Sequence, residues 1–331
     1  MLGFRPSMLC FDFGSANLRV GSEQQVLVTQ ATRAVVYAPK SGKRSIVALG
    51  NSAKDMQGRL PSILQELPLV QDGGLQDVDC LQELVRQLII QVKDRLLWAN
   101  QQVCITIPYA ANQFEKQVFV QMMKNAGAGK VHFVNRAIAA AEALEIPYHE
   151  PHGHCVIDIG AHTMEMTILS CGTIVHSKLV KLGGGVLDQS LLRYLRKKFE
   201  IDISKAQACQ LKEKYGQAYP DTTKLEPVVI RGKNSKTGYP IQVFISQYEI
   251  HLGLGEGLQI LLESISGFLE EITLELSTDI AETGIVLIGG GALLGDLEIA
   301  VTEHTNILTI VPENPDELCV VGALSYREKL E

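Results

Sequence analysis

Two stretches of the sequence place an aspartate and a glycine at the bend between apolar segments. The residues are Asp12, Gly14, Ser15, Ala16 and Asn17 in DFGSAN, and Asp158, Gly160, Ala161, His162 and Thr163 in DIGAHT. Glycine allows close approach of the backbone, and successive amides in such a turn bind anions. The aspartates can hold Mg²⁺ through water, because that ion keeps most of its hydration shell. A single Asp-x-Gly is often only a turn, but two copies at corresponding positions predict a clamp for nucleotide phosphates.

The elements around these turns repeat. An apolar strand precedes each glycine turn and a second strand follows it, in MLCFDFGSANLRVG and again in CVIDIGAHTMEMTIL. A third glycine element at 284–297 has the pattern of a buried strand, three glycines and a helix, although its spacing departs from the dinucleotide-binding fingerprint. Helical periodicity marks 81–97, 113–127 and 187–200, and 226–246 predicts two strands joined by a polar turn. This order predicts sheets covered by helices in two related halves.

The composition is typical of a globular protein and excludes several functional classes. The chain has 331 residues, of which 46% are hydrophobic, enough for two domains with separate cores. A net charge of -7 lacks the basic field that non-specific nucleic-acid binding requires. Seven scattered cysteines without a CxxC pair favour reduced thiols in a cytosolic protein over a zinc site or a disulfide framework. No apolar run approaches the roughly 20 residues of a spanning helix, so we expect any membrane contact to be peripheral.

Nine blocks of the sequence, in order, resemble the MreB-like branch of the bacterial actins, within the superfamily of actin, heat-shock chaperones and sugar kinases. The blocks are DFGSANLRV, ALGNSAKDMQGRLP, PLVQDGGLQD, VCITIPYAANQFEK, NAGAGKVHFVNRAIAAAEAL, VIDIGAHTMEMTILSCGTIVHSK, LRYLRKKFEI, LKEKYGQAYP and GIVLIGGGALLGDLE. The resemblance spans nearly the whole chain. It implies an α/β fold of the actin-like two-domain ATPase type, in which each domain is a mixed sheet covered by helices, with smaller inserted subdomains.

The resemblance also implies domain boundaries and ligands. Domain I would span 1–147, with 33–74 as its small subdomain and 314–331 packing back on it. Domain II would span 148–313, with about 186–250 as its small subdomain. ATP or ADP and Mg²⁺ would bind in a cleft between the domains, and the protein would polymerise into filaments.

By the same resemblance, four groups of residues would surround the nucleotide. The residues Asp12, Gly14, Ser15, Ala16 and Asn17 would form the first phosphate loop, and Asp158, Gly160, Ala161, His162 and Thr163 the second, near the γ-phosphate. Gly183, Gly184, Gln210 and Lys212 would lie near the ribose and base, and Gly289, Gly290, Gly291 and Ala292 would close over the adenosine. Asp12 and Asp158 would hold Mg²⁺ through water.

Arg136 is the main departure from the family pattern. It occupies the place of the glutamate that orients the attacking water, and an arginine has only donors and stays protonated, so it cannot be the base. We predict slow or absent hydrolysis, with Arg136 holding the γ-phosphate by charge. Two alternatives stay open: Arg136 pairs with a carboxylate at the domain hinge, or the site is empty of nucleotide.

Other departures fall in the glycine loops. Ala161 and His162 replace two glycines of the second loop, and His162 is a candidate proton acceptor near pH 7. Asp158 is a further candidate catalytic residue in this loop. Gly185 and Gln210 stand where the family has acidic residues, which weakens the expected ribose recognition.

Two further stretches have a functional and a structural interpretation. His149, His152 and His154 fall within six residues, but proline and glycine break the spacing, and a solvated loop is favoured over a metal site. Leu97 and Trp98 lie at the end of a predicted helix, at a position where the family often inserts apolar residues into the bilayer, and core packing is the alternative.

The leading prediction is a filament-forming cytoskeletal protein at the inner face of the cell membrane, acting in cell shape or wall organisation. Its expected partners are further protomers and membrane-bound morphogenesis proteins, and nucleic acid is not expected. A non-polymerising adaptor of the same fold is the alternative. A metabolite kinase is disfavoured, because the segment after ITIP lacks an aspartate base.

Overall fold

A computed structural model describes residues 8–22, 25–39, 43–93, 102–219 and 227–326. The chain forms two compact units. The first comprises Met1–Glu150, Cys171–Leu179 and Glu317–Glu331, and the second comprises Pro151–Ser170 and Val180–Asp316.

A mixed five-stranded sheet lies at the centre of the first unit. Its described elements are β1 (Leu9–Phe13), β2 (Asn17–Ser22), β3 (Gln25–Ala31), β4 (Arg33–Tyr37), β5 (Ser45–Leu49), α1 (Gly50–Asp55), β6 (Leu64–Pro68), β7 (Val70–Gln71), β8 (Gly74–Leu75), α2 (Val78–Lys93), β9 (Val103–Ile107), α3 (Gln113–Asn125), β10 (Val131–Asn135) and α4 (Arg136–Ala143). The sheet order is β10-β9-β1-β2-β3, with β1, β9 and β10 parallel and β2 antiparallel to both its neighbours. Smaller sheets form from β5-β4-β6 and from β7-β8.

The core of the first unit lies between this sheet and helices α2 and α3. All five residues of β1 are buried, as expected of a continuous apolar strand at the centre of a sheet. Phe13 packs on Phe119 of α3, with ring centroids 4.8 Å apart. Helix α2 begins at Val78, earlier than the periodicity predicts, because the Asp77 side chain accepts a hydrogen bond from the Cys80 amide and caps the first turn.

The second unit repeats the plan of a mixed sheet with helices. The chain continues through β11 (His154–Ile159), β12 (Met164–Ser170), β13 (Thr173–Val180, of which the residues up to Leu179 belong to the first unit), α5 (Gly184–Phe199), β14 (Ile201–Asp202), α6 (Lys205–Tyr215), β15 (Pro227–Asn234), β16 (Pro240–Ser246), α7 (Gln247–Leu269), α8 (Leu274–Thr283), β17 (Ile285–Ile288), a 3₁₀ turn (Gly290–Leu293), α9 (Leu297–Thr305), β18 (Thr309–Ile310) and α10 (Leu318–Ser325) of the first unit. Strand β11 is antiparallel to β12 and parallel to β17, and β17 is parallel to β18. Strands β14, β15 and β16 form a separate antiparallel sheet.

These elements confirm the predicted hairpins and differ from the sequence pattern after the three glycines. Strands β1 and β2 flank the first Asp-x-Gly turn, and β11 and β12 flank the second. The predicted helix after Gly291 is instead a 3₁₀ turn, and α9 begins only at Leu297. The turn ends at Leu294, whose backbone is extended with a ψ of 125°, and Asp296, whose φ of 59° is left-handed, directly precedes α9.

Helix α10 packs closely on α4 in the first unit. Ala139, Ala140 and Ala141 of α4 are fully buried. Opposite them, a Cβ on Gly322 would lie 1.6 Å from the Ala139 carbonyl oxygen. The alanine run after Arg136 therefore allows α10 to approach the α4 backbone, and α10 helps to fix the position at which α4 begins.

Among the described residues, no helix has the length and apolar content needed to cross a bilayer.

Candidate functional site

The turn between β1 and β2 is a tight loop closed by its own backbone. The Gly14 amide donates to the Asn17 carbonyl over 3.0 Å, and a Cβ on Gly14 would lie 2.7 Å from that same oxygen. Thr32 fixes the loop from outside, because its hydroxyl donates to the Gly14 carbonyl at 2.7 Å and its amide to the Ala16 carbonyl at 3.0 Å. Ser15 is half-buried and Ala16 exposed, so the predicted phosphate loop is open to solvent at its tip.

Asp12, at the base of this loop, is buried and hydrogen-bonded. Strand β9 runs parallel to β1 with Thr106 in register with Asp12. The Thr106 hydroxyl donates to Asp12 Oδ1 over 2.6 Å. Sequence analysis missed Thr106, because the contact depends on the pairing of two strands that are 94 residues apart.

Arg136 lies against the same loop. Asn135 caps α4 by accepting the Ala137 amide at 2.8 Å, which places Arg136 at the first helical position. Its Nη2 donates to the Phe13 carbonyl at 2.9 Å, and its Nε lies 3.3 Å from Asp12 Oδ1. The side chains of Arg136 and Asp12 are only 15% and 10% exposed, so the ion pair is largely shielded from water.

The contacts of Asp12 Oδ1 make this oxygen a poor partner for Mg²⁺ or for a water molecule bound to it. The carboxylate oxygen Oδ1 already faces the Thr106 hydroxyl and the Arg136 guanidinium. A unit positive charge about 4 Å from a guanidinium is repelled by about 4 kcal/mol at an effective dielectric constant of about 20, and a divalent ion by twice as much. The residues around Asp12 Oδ1 therefore favour a guanidinium over a metal ion at this oxygen.

In the second unit, the loop after β11 is joined to the glycines that begin α5. The Gly160 amide donates to the Thr163 carbonyl at 2.8 Å and closes the hairpin turn. The Gly184 amide donates to the Gly160 carbonyl at 2.9 Å, and the Gly185 amide to the Ala161 carbonyl at 2.8 Å. Two loops that are more than twenty residues apart in the chain thus form one backbone-bonded platform, which includes the predicted second phosphate loop.

Gly183 lies in this platform where the neighbouring backbone leaves no room for a side chain. A Cβ there would lie 2.5 Å from the Gly160 carbonyl oxygen and 3.0 Å from the His162 amide nitrogen. We expect Gly183→Ala to lower the free energy of unfolding by about 1–3 kcal/mol and to weaken nucleotide binding, because the two loops must separate. Urea unfolding and nucleotide titration measure both effects.

The matched control is Gly290→Ala, where an added methyl group meets no heavy atom within 4 Å. It is expected to leave the unfolding free energy unchanged. Equal destabilisation by both substitutions would contradict the close approach at Gly183.

The third glycine turn lies against the end of β11. Strands β11 and β17 are parallel, with Asp158 in register with Ile288. Gly289 has a φ of 84°, and a Cβ there would lie 2.3 Å from Asp158 Oδ1. A Cβ on Gly291 would lie 2.3 Å from the Ile159 side chain, and Ala292 is buried. The structure thus brings three of the four predicted groups together within the second unit, at the end of one sheet.

Lys212 makes a buried ion pair with a residue that sequence analysis missed. Its Nζ lies 2.7 Å from Asp188 Oδ1 and donates to the Gly184 carbonyl at 2.9 Å. The side chains of Lys212 and Asp188 are 13% and 6% exposed. Asp188 lies between Leu187 and Leu191 on the apolar face of α5, and a charge on such a face is a sequence signal for a buried pair. Gln210 is exposed on α6.

Comparison with known proteins establishes the family. A sequence profile of the MreB/Mbl protein family matches residues 6–331. The chain belongs to the MreB/Mbl family. The cell shape-determining protein MreB of Escherichia coli (strain K12) is 30% identical over 310 residues, covering 93% of this chain and 89% of that protein. The cell shape-determining protein Mbl of Bacillus subtilis (strain 168) is 26% identical over 311 residues, covering 94% and 92%.

Solved structures confirm the actin-like fold. MreB5 of Spiroplasma citri bound to ADP superposes with a TM-score of 0.90 at 24% identity, covering 98% of this chain and 97% of that chain. The same protein bound to AMPPNP gives a TM-score of 0.90 at 25% identity, covering 99% and 98%. A MamK double helical filament gives 0.77 at 18% identity, covering 99% and 100%.

Two titratable groups near the first loop of this MreB/Mbl-family chain have structural roles. Burial raises the pKa of the Cys10 thiol well above its usual value, and the neighbouring Cys104 thiol and Asp12 carboxylate add to this. Burial also lowers the pKa of His132, whose Nε2 lies 3.1 Å from Gln102 Oε1. Burial therefore favours the neutral form of both side chains.

Two other predicted features fall outside the glycine loops of this family member. Within the described part of the chain, no three His, Cys, Asp or Glu side chains are grouped so that they could hold a metal ion, and this includes His149, His152 and His154. Leu97 and Trp98, the predicted membrane contact, lie outside the described residues. The membrane contact therefore stays a prediction.

Proposed function

We propose that this protein is a nucleotide-binding cytoskeletal protein that forms filaments at the inner face of the cell membrane and organises cell shape or cell-wall synthesis. Family membership supports the role in cell shape, because the Escherichia coli and Bacillus subtilis relatives are both cell shape-determining proteins. The nucleotide is ATP or ADP. The ligands of the Spiroplasma citri relative, ADP and AMPPNP, support this choice.

The proposal includes slow or absent ATP hydrolysis, and the geometry of Arg136 is the observation on which this part rests. Its guanidinium contacts the Phe13 carbonyl and Asp12 of the first loop. A guanidinium has no lone pair with which to accept a proton from water, so the residue at this position cannot activate the nucleophile. His162 is the remaining candidate acceptor in the second loop, and it is half-buried.

The backbone geometry supports phosphate binding at both loops. In the first unit, the turn from Gly14 to Asn17 is held by Thr32 with its tip exposed. In the second unit, the turn from Gly160 to Thr163 is bonded to the glycines that begin α5. Such turns present amide N–H groups to phosphate oxygens.

Membrane association is the part of the proposal that rests on sequence alone. Leu97 and Trp98 would insert at the level of the lipid headgroups, where an indole ring can keep its N–H hydrated. The expected partners are further protomers and membrane-bound morphogenesis proteins.

One observation favours a second candidate function. Arg136 stands in place of the carboxylate that drives turnover. A non-polymerising adaptor that binds nucleotide and recruits membrane partners needs no turnover, so such a site would suit it. The adaptor and the filament protein differ in one measurable property, which is nucleotide-dependent assembly.

High-speed sedimentation and phosphate release, measured on the same samples, test the proposal. With ATP we expect a pellet of filaments. We also expect a phosphate-release rate at least about 10²-fold lower than that of relatives with the glutamate, because a general base usually contributes at least this factor to the rate. A protein that stays in the supernatant with ATP, with ADP and without nucleotide would favour the adaptor. Rapid phosphate release that is unaffected by Arg136→Ala would contradict impaired hydrolysis.

A further inference from the structure

We infer that the Arg136 guanidinium is the resident cation of the first loop, occupying at Asp12 the place of a divalent metal, so that nucleotide binding does not require Mg²⁺. This inference rests on the proposed nucleotide function and concerns the cofactor requirement of the same site.

The position of Arg136 is fixed at both ends of the residue. Its guanidinium uses two different nitrogens for two partners, Nη2 for the Phe13 carbonyl and Nε for Asp12. Its backbone lies at the start of α4, where the Asn135 side chain caps the helix. Cys319 of α10 lies with its Sγ 3.8 Å from the Arg136 carbonyl oxygen. The charge is therefore held at the loop by the packing of two helices.

One oxygen of the Asp12 carboxylate, Oδ1, is already occupied by two partners. Thr106 supplies a hydroxyl donor and Arg136 supplies the positive charge, both at Oδ1. Buried charges are stable when they are paired and hydrogen-bonded, and a metal ion, or a water molecule bound to it, would have to displace the guanidinium to reach this oxygen. Arginine stays protonated at all accessible pH values, so the competition does not weaken at neutral or alkaline pH.

The ion pair of Arg136 and Asp12 also removes a charge repulsion that a bound metal ion would otherwise neutralise. An aspartate alone at the base of a phosphate loop repels the phosphate oxygens, and a bound cation reverses that repulsion. Arg136 cancels the charge of Asp12 permanently, and a guanidinium is itself a good donor to phosphate. The first loop is therefore compatible with the more highly charged, metal-free nucleotide.

ATP titration into the purified protein tests the inference, once with excess MgCl₂ and once with EDTA, at equal ionic strength. For the wild type we expect dissociation constants that agree within about threefold. For Arg136→Gln, which removes the charge, we expect metal-free binding to weaken by about tenfold or more and Mg²⁺ to recover most of the loss. Arg136→Lys, which keeps a cation, is expected to retain binding in EDTA.

Arg193→Gln is the matched control, because it removes an exposed guanidinium of α5 that pairs with Glu256. It should leave both dissociation constants unchanged. Thermal unfolding of each variant identifies any loss of binding that is due to loss of the fold. The comparison of wild-type binding with MgCl₂ and with EDTA does not depend on a variant.

The possible failures are distinguishable. A wild type that binds ATP only with Mg²⁺ overturns this inference and leaves the proposed function intact. A wild type that binds ATP in neither condition overturns the proposed function and this inference with it. Metal-independent binding that persists in Arg136→Gln overturns the assignment of the cation to Arg136.

Discussion

Replacing Gly322 with alanine is expected to lower the melting temperature by about 4 °C, corresponding to about 3 kcal/mol of unfolding free energy in a chain of this length. The added Cβ would lie 1.6 Å from the Ala139 carbonyl oxygen and 3.0 Å from the Ala143 amide nitrogen. Both atoms belong to the α4 backbone, so no side chain can rotate to make room. Helices α4 and α10 must separate, and Arg136 at the start of α4 moves with them. Differential scanning calorimetry measures the shift.

The same substitution at a second helical glycine is the control. Gly255 lies in α7, and a Cβ there meets no heavy atom within 4 Å. Alanine is a better helix former than glycine by about 0.5–1 kcal/mol, so Gly255→Ala should raise the melting temperature slightly. If Gly322→Ala melts at the wild-type temperature, the close packing of α10 on α4 is incorrect.

Removing the positive charge of Lys212 is expected to have a comparable effect in the second unit. Lys212→Met leaves Asp188, whose side chain is 6% exposed, as a buried carboxylate without its lysine. Breaking a buried pair in this way costs about 3–5 kcal/mol, whereas replacing both partners by apolar residues is often neutral. We therefore expect the double variant with Asp188→Leu to recover most of the lost stability. Urea denaturation of the two single variants and the double variant measures the coupling.

An exposed ion pair serves as the control for Lys212. Lys198 pairs with Glu249 on the surface, with side chains 47% and 22% exposed, so Lys198→Met should change stability little. The double variant also tests the predicted role of Lys212 at the nucleotide. If stability recovers and nucleotide affinity does not, Lys212 contributes to binding beyond its support of α5. If Lys212→Met alone is as stable as the wild type, the buried pair is absent.

The sequence predicts those features whose causes are local. The apolar run Leu9–Phe13 indicates a buried strand, and at both Asp-x-Gly turns the contact that limits a side chain on the glycine comes from a residue three positions later, at 2.7 Å for Gly14 and 3.1 Å for Gly160. The substitution of a donor for an acceptor at Arg136 follows from residue chemistry together with the family resemblance. In each case the physical cause lies within the chain segment itself or in one side chain.

Features that depend on distant pairings are not available from the sequence. Arg136 contacts the Phe13 carbonyl across 123 residues of chain, and Thr106 reaches Asp12 across 94. Both contacts follow from the order of β10, β9 and β1 in the sheet, which no short motif encodes. Asp188 illustrates an intermediate case, because its position on an apolar face signals burial but does not identify Lys212 as its partner.

The division of the chain into units has a consequence for biosynthesis. The second unit ends at Asp316, whereas the first unit begins the chain and is completed only by Glu317–Glu331, which include α10. At about 5–20 residues per second, on the order of 10 to 30 s separate synthesis of residue 150 from that of α10. During this interval α4 has its buried alanines but not the helix that covers them. The first unit thus begins to emerge from the ribosome before the second and is completed after it, so the face of α4 that α10 covers stays exposed while the second unit is synthesised.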